Sequence, residues 1–165
     1  MRWTRALLFG VLLALLPRSP AMAAQPEVAV TLDGRPIPVS AIPEHDCHDL
    51  EFPVIRCFSG AGARDLAVSA EVEIVGTESV TAVAYVTIYD LTGFAGSSFV
   101  VSQNYDVLAT IGWNDRVSSF KGRNSETGRF NVDWFAGGSA WAFCCNQQVS
   151  SLGGFNNAFS SVYRT

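Results

Sequence analysis

Two short stretches of the chain collect oxygen donors. Gly112 to Phe120 reads GWNDRVSSF, and Gly154 to Val162, 42 residues further on, reads GFNNAFSSV, with Gly, Asn, Ser and Ser identical at four of nine positions. The first offers the Asn114 amide, the Asp115 carboxylate and the Ser118 hydroxyl within five residues; the second offers Asn156, Asn157 and Ser160. Carboxylate, amide, hydroxyl and carbonyl oxygens are what a hard divalent cation such as calcium takes as ligands. The stretches are unequal, because Asn157 stands where the first has Asp115, and fewer charged ligands make a weaker calcium site. The same groups also serve a purely structural role when they satisfy backbone donors and acceptors in turns.

A second cluster of candidate ligands is Glu44 to Pro53, EHDCHDLEFP, which holds both histidines, His45 and His48, among Asp46, Asp49, Glu51 and Cys47. Imidazole and carboxylate suit zinc. With no other ligand cluster to complete the coordination, the favoured reading is a polar loop fixed by a disulfide through Cys47. The chain has no nucleophile elbow, phosphate-binding Walker loop or HExxH. A triad would have to draw on histidines confined to one loop, so no set of catalytic roles can be filled.

The elements that must position the oxygen-rich stretches also repeat. YDLTGFAG (Tyr89 to Gly96) returns as FNVDWFAG (Phe130 to Gly137) after 41 residues, both reading aromatic, four residues, Phe, one residue, Gly. Two signatures repeating in the same order at nearly one period mark a tandem of two similar units. Ala82 to Tyr89 is β-branched and aromatic, a buried strand, and Phe99 with Val101 continues an alternating one. Phe130, Val132 and Trp134 alternate, as do Trp141, Phe143 and Cys145 after the turn at Gly137-Gly138. Short strands with Gly-rich turns indicate an all-β sandwich or barrel. Gly96 and Gly137 are expected where φ is positive or the backbone folds tightly. Trp113, Trp134, Trp141, Phe155, Phe159 and Tyr163 are read as core and corner residues, since a sugar platform would need them exposed as a patch.

These paired motifs resemble the βγ-crystallin Greek-key domain. Its units begin with the aromatic-Gly signature and end with Asn/Asp-Asn/Asp-x-x-Ser/Thr-Ser, present here as NDRVSS (Asn114 to Ser119) and NNAFSS (Asn156 to Ser161). The resemblance covers about residues 84–163. It implies a double Greek-key sandwich over 81–165, with units at about 84–123 and 124–165. The aromatic-Gly segment would be a folded hairpin, and the Asn/Asp segment of one unit would lie against the hairpin of the other and bind calcium there. By the same resemblance the carbonyls of Arg116 and Ala158 ligate, as do those of Asp90 and Asn131 from the opposite unit, while Ser119 and Ser161 hold the hairpins. Secreted bacterial metalloproteinase inhibitors share this fold.

The start of the chain reads as an export leader. Arg2 and Arg5 precede an apolar run from Ala6 to Leu16, with Ala21-Met22-Ala23 offering cleavage after Ala23. The run is shorter than the roughly 20 apolar residues a membrane span needs, so no membrane span is expected in the secreted chain. Without residues 1–23, eight basic residues face 15 acids, which leaves no basic face for nucleic acid.

Residues 24–80 form an acidic N-terminal segment. Val28 to Leu32, Asp33-Gly34 and Arg35 to Val39 predict a hairpin with a type I′ turn, Pro36 and Pro38 placing its return strand at a sheet edge. Ala63, Leu66, Ala67, Ala70 and Ile74 predict a short helix over 61–73 whose apolar stripe packs on the neighbouring sheet. The change in charge balance suggests a boundary near 76–84. Cys47, Cys57, Cys144 and Cys145 allow three disulfide pairings in an oxidising compartment. The leaning is to Cys47–Cys57, with Cys144 and Cys145 reduced or bridged to each other. Three functions follow: a secreted calcium-binding structural or interaction protein, an inhibitor of an extracellular protease with no recognisable inhibitory loop, and an enzyme, which the missing catalytic pattern disfavours.

Overall fold

The computed structural model describes residues 27–73 and 83–165. The expected leader, most of the boundary near 76–84 and Ile74 lie outside the described residues. Asp33 and Gly34 take φ of 48° and 80°, as a two-residue I′ turn requires. They join β1 (Ala29–Leu32) to β2 (Arg35–Pro36), with Leu32 opposite Arg35. β2 is the outermost strand of its sheet, where Pro36 can lack an N–H without breaking a ladder. A 3-10 turn, Val39–Glu44, leads to β3 (Asp46–Glu51) and β4 (Val54–Phe58). Cys47 stands opposite Cys57 in this antiparallel pair and is bonded to it, while Cys144 and Cys145 are exposed free thiols.

Two expectations for this segment are corrected. Most of EHDCHDLEFP is strand, not polar loop, and Cys47, His48, Asp49 and Leu50 are buried within it. Its acids meet partners inside the protein. The Asp46 carboxylate receives the Ser98 hydroxyl and the Arg64 guanidinium, the latter at 3.3 Å. The helix, α1 (Ala61–Glu73), forms as expected, but it buries Arg64 and Val68, while Ala63 is exposed and Leu66 is 76% exposed. The ion pair to Asp46 turns α1 so that Arg64 faces inward, and the apolar stripe is not the packed face. Val68 meets Leu50, Ala84 and Val100 in a small cluster.

The repeated half supplies β5 (Val86–Tyr89), β6 (Ser98–Val101) and β7 (Ser119–Gly122) from the first unit. The second unit supplies β8 (Gly128–Asn131), β9 (Ala140–Phe143), β10 (Gln148–Val149) and β11 (Ser161–Arg164). One sheet runs β10-β7-β5-β6-β3-β4-β1-β2 and the other β11-β8-β9. The units exchange their third strands. β10 of the second pairs with β7 of the first, and Tyr105 of the first bridges Val162 on β11, each N–H bonded to the other's carbonyl at 2.9 and 3.0 Å. This is a double Greek-key sandwich of two interlocked units. Phe120, Phe130, Phe143 and Phe159 fill it, with ring centroids 4.9–5.2 Å apart.

The N-terminal segment joins the first sheet by laying β3 parallel to β6, Cys47 beside Phe99 and His48 beside Val100. Of the aromatics expected in the core, Trp113 and Phe159 are fully buried, and Trp141, Phe155 and Tyr163 are half-buried. Trp134 is 53% exposed. β8 ends at Asn131, so the chain folds back before Trp134 can point into the sandwich.

Candidate functional site

Each unit begins with a hairpin folded over the sandwich and locked by the last Ser of its oxygen-rich stretch. After β5, the Leu91 N–H reaches the Ala95 carbonyl at 3.3 Å. Ser119 Oγ donates to the Leu91 carbonyl at 2.6 Å and accepts from the Phe94 N–H at 3.1 Å. Ser161 repeats this in the second unit, donating to the Asp133 carbonyl at 2.7 Å and accepting from the Ala136 N–H at 3.3 Å. Gly96 has φ +73°, and a Cβ there would stand 1.9 Å from Asp90 Oδ1, so the fold needs both the left-handed backbone and the missing side chain. At Gly137 a Cβ would lie 3.1 Å from the Trp134 carbonyl. There the left-handed residues are instead Phe135, Ala136 and Gly138.

The oxygen-rich stretches cross, and the Asp115 and Ser118 ends of one stretch go to different partners. The Ser end of each stretch sits on its own unit's hairpin. Ser118 N–H donates to the Tyr89 carbonyl at 2.9 Å, and Ser160 N–H donates to the Asn131 carbonyl at 2.9 Å. The Asn/Asp head reaches the other stretch: Asp115 N–H donates to the Phe159 carbonyl and Asn157 N–H to the Val117 carbonyl, each at 3.0 Å. Asp115 and Asn157 both hold left-handed φ, 54° and 55°, which Asn and Asp tolerate better than most residues. Asp115 is thereby bonded to the residue before Ser160, and Asn157 to the residue before Ser118, so the two arrangements are related by the internal repeat.

At the Asn157 end three oxygens converge. Ser118 Oγ lies 2.9 Å from the Asp90 carbonyl and 2.9 Å from Asn157 Oδ1. A hydroxyl carries one proton, so it cannot donate fully to both. At the Asp115 end, Asn114 Nδ2 donates to Asp115 Oδ2 at 2.7 Å, while Asn114 Oδ1 accepts from Trp134 Nε1 at 3.1 Å. Asn114 is thus occupied in orienting Asp115 and holding the Trp134 hairpin. Asn156 is exposed and starts the second stretch, its N–H on the Gly153 carbonyl at 3.1 Å.

The sequence patterns did not foreshadow the side chain of Arg116, expected as a ligand only through its carbonyl. Its Nη2 stands 3.2 Å from Asp90 Oδ2 and 3.3 Å from the Pro43 carbonyl. Asp90 Oδ1 and Asn131 Oδ1, which occupy matching positions in the two units, are buried without a hydrogen-bond partner among the described residues. Gly112 lets this region close on the N-terminal segment, since a Cβ there would be 2.5 Å from Pro43 Cγ.

Away from the clasps, Asp49 on β3 is buried and tied to the sandwich. Its Oδ2 accepts from Tyr105 Oη at 2.8 Å and its Oδ1 from the Ser102 N–H at 2.7 Å. Burial raises its pKa from 3.8 to about 6 against these bonds. Burial lowers that of neighbouring His48, stacked on Phe58, from 6.5 to about 4. His45 and His48 join no group of three or more His, Cys, Asp or Glu able to hold a metal among the described residues.

No family model matches the chain, and no curated protein does. Solved structures do. They include a βγ-crystallin from an archaeon, 28% identical over 50% of this chain and 98% of that one, with a TM-score of 0.45. A second was solved in work on the evolution of the eye-lens βγ-crystallin domain fold, 27% identical over 55% and 93%, TM-score 0.49. A third is a βγ-crystallin domain from Flavobacterium johnsoniae, 23% identical over 49% and 93%, TM-score 0.43.

Proposed function

We propose that this chain, whose C-terminal half is a βγ-crystallin-type double Greek key, is an exported calcium-binding protein with a structural or interaction role and no enzymatic activity. The observation that carries the reading is the crossed pair of clasps. In one, the Ser118 hydroxyl meets the Asn157 side chain of the other unit and the Asp90 hairpin carbonyl. In the other, the matching backbone bonds of Asp115 to the Phe159 carbonyl and of Ser160 to the Asn131 carbonyl support the corresponding set of Ser160, Asp115 and Asn131. These are hard oxygen donors. The carbonyls of Ala158 and Arg116, one residue beyond Asn157 and Asp115, complete each set. The Asp115 clasp holds a carboxylate free of any ion pair among the described residues, and calcium binds there first. Affinity falls in the range of extracellular modules, on the order of 10⁻⁴–10⁻³ M.

Calcium that binds only the folded chain stabilises it by mass action, about 2.7 kcal/mol at a hundredfold excess over Kd. Thermal denaturation of the leader-free chain in EDTA and in rising calcium therefore shows a midpoint that climbs with concentration. A midpoint that does not move, together with no heat in a calorimetric titration, would refute the reading. No described residue group favours a protease-inhibiting loop over this function.

A further inference from the structure

Besides Asp115 against Asn157, the two clasps differ in a second feature that the repeat exposes. Arg116 and Asp90, ion-paired at 3.2 Å, align with Ala158 and Asn131 in the other unit. One clasp thus has a hairpin carboxylate with a guanidinium on it, and the other has neither. Asp90 also supplies, through its carbonyl, one of the three oxygens that meet at Ser118 and Asn157. The same guanidinium nitrogen reaches the Pro43 carbonyl of the N-terminal segment.

We infer that Arg116 is the resident counter-cation of the Ser118–Asn157 clasp, and that a divalent cation fills this clasp only when the guanidinium leaves Asp90. This rests on the calcium reading above and sharpens it to a regulation of occupancy. The clasp has no other formal negative charge: its donors are a hydroxyl, an amide and carbonyls, and its one nearby carboxylate is already neutralised. A calcium ion arriving beside a fixed guanidinium meets like charge, which opposes binding. Asp90 Oδ1 and Arg116 Nε are both buried without hydrogen-bond partners among the described residues, so the pair is held by a single nitrogen and leaves oxygen capacity for a better cation. Because Arg116 also straps Pro43, loading this clasp releases one link between the sandwich and the N-terminal segment. Arg116 therefore sets how many ions the molecule takes, and the Asp115 clasp, with Ala158 in the matching position, has no such guard.

The test is calcium stoichiometry on the full leader-free chain, by calorimetry and equilibrium dialysis. It uses wild type, Arg116→Gln, Arg116→Lys, Asp115→Ala and the Asp115→Ala/Arg116→Gln double variant, each first shown to melt cooperatively in EDTA. The expected result is one ion for wild type and for Arg116→Lys, which keeps the charge. Arg116→Gln takes two, Asp115→Ala none, and the double variant one. Arg116→Gln that still binds the same number of ions as wild type overturns the inference, and so does Arg116→Lys binding two. If wild type binds none while Arg116→Gln binds one, the guarded clasp stands and the ranking of the Asp115 clasp fails. If no variant binds, both fall.

Discussion

Asp49 and His48 are neighbours on β3 whose pKa values move in opposite directions for one cause, burial. Between about pH 4 and 6 the folded chain holds a proton on Asp49 that the unfolded chain has lost, so Asp49 makes stability fall as pH rises toward about 6. His48 does the reverse. The unfolded imidazole is protonated up to about 6.5 and the folded one only below about 4, so its contribution grows as pH rises through that window. Each shift corresponds to roughly 3 kcal/mol, and over pH 4–6 the two largely offset. Asp49→Asn leaves the histidine unopposed, and its urea midpoint rises from pH 4.5 to 6.5 more steeply than that of wild type. Parallel profiles would show that Asp49 titrates normally. The acids and histidines were legible as a cluster with unusual chemistry. That they form a strand was not, because Asp and His are poor strand formers by composition, and it is Tyr105, Ser98, Ser102 and Arg64, distant in sequence, that satisfy Asp46 and Asp49.

At the scale of the element, the folded hairpins depend on a few atoms. Gly93 and Gly96 both take positive φ, but a Cβ on Gly93 meets nothing within 4 Å while one on Gly96 strikes the Asp90 carboxylate. Gly93→Ala costs the backbone strain of a left-handed Ala, at least about 1 kcal/mol. Gly96→Ala costs that and the displacement of Asp90, so its denaturation midpoint lies lower; equal midpoints would mean that the carboxylate moves aside freely. Ser119→Ala removes one donated and one accepted hydrogen bond from its hairpin and destabilises by about 1–3 kcal/mol. Both elements were visible in the repeated motifs, because a hairpin folded this tightly admits few residue types at Gly and Ser. The helix was visible too, but not its orientation. The periodic alanines and Leu66 mark a stripe, yet the Arg64–Asp46 pair decides which face turns inward.

For the whole molecule, the repeat and its all-β character could be read from the spacing of motifs. That each Asn/Asp head lies against the other unit was legible only from the family resemblance; nothing local says that Asp115 bonds to the residue before Ser160, which follows from the exchange of Tyr105 and β10 between units. The attachment of the N-terminal segment was equally hidden. β3 extends the first sheet along β6, and Asp49, Asp46 and Pro43 each bond across the junction. The segment and the sandwich therefore unfold together, and calorimetry of the full chain shows one cooperative transition; two resolved transitions would mean that the shared sheet is not a shared folding unit. The central claim, that cations are held between units by crossed partners, is tested most directly by calcium titration of Ser160→Ala and Ser118→Ala beside Asp115→Ala. The account predicts that Ser160→Ala weakens the first binding event as Asp115→Ala does, while Ser118→Ala leaves it intact. Loss of that event in Ser118→Ala, with Ser160→Ala unaffected, would contradict it.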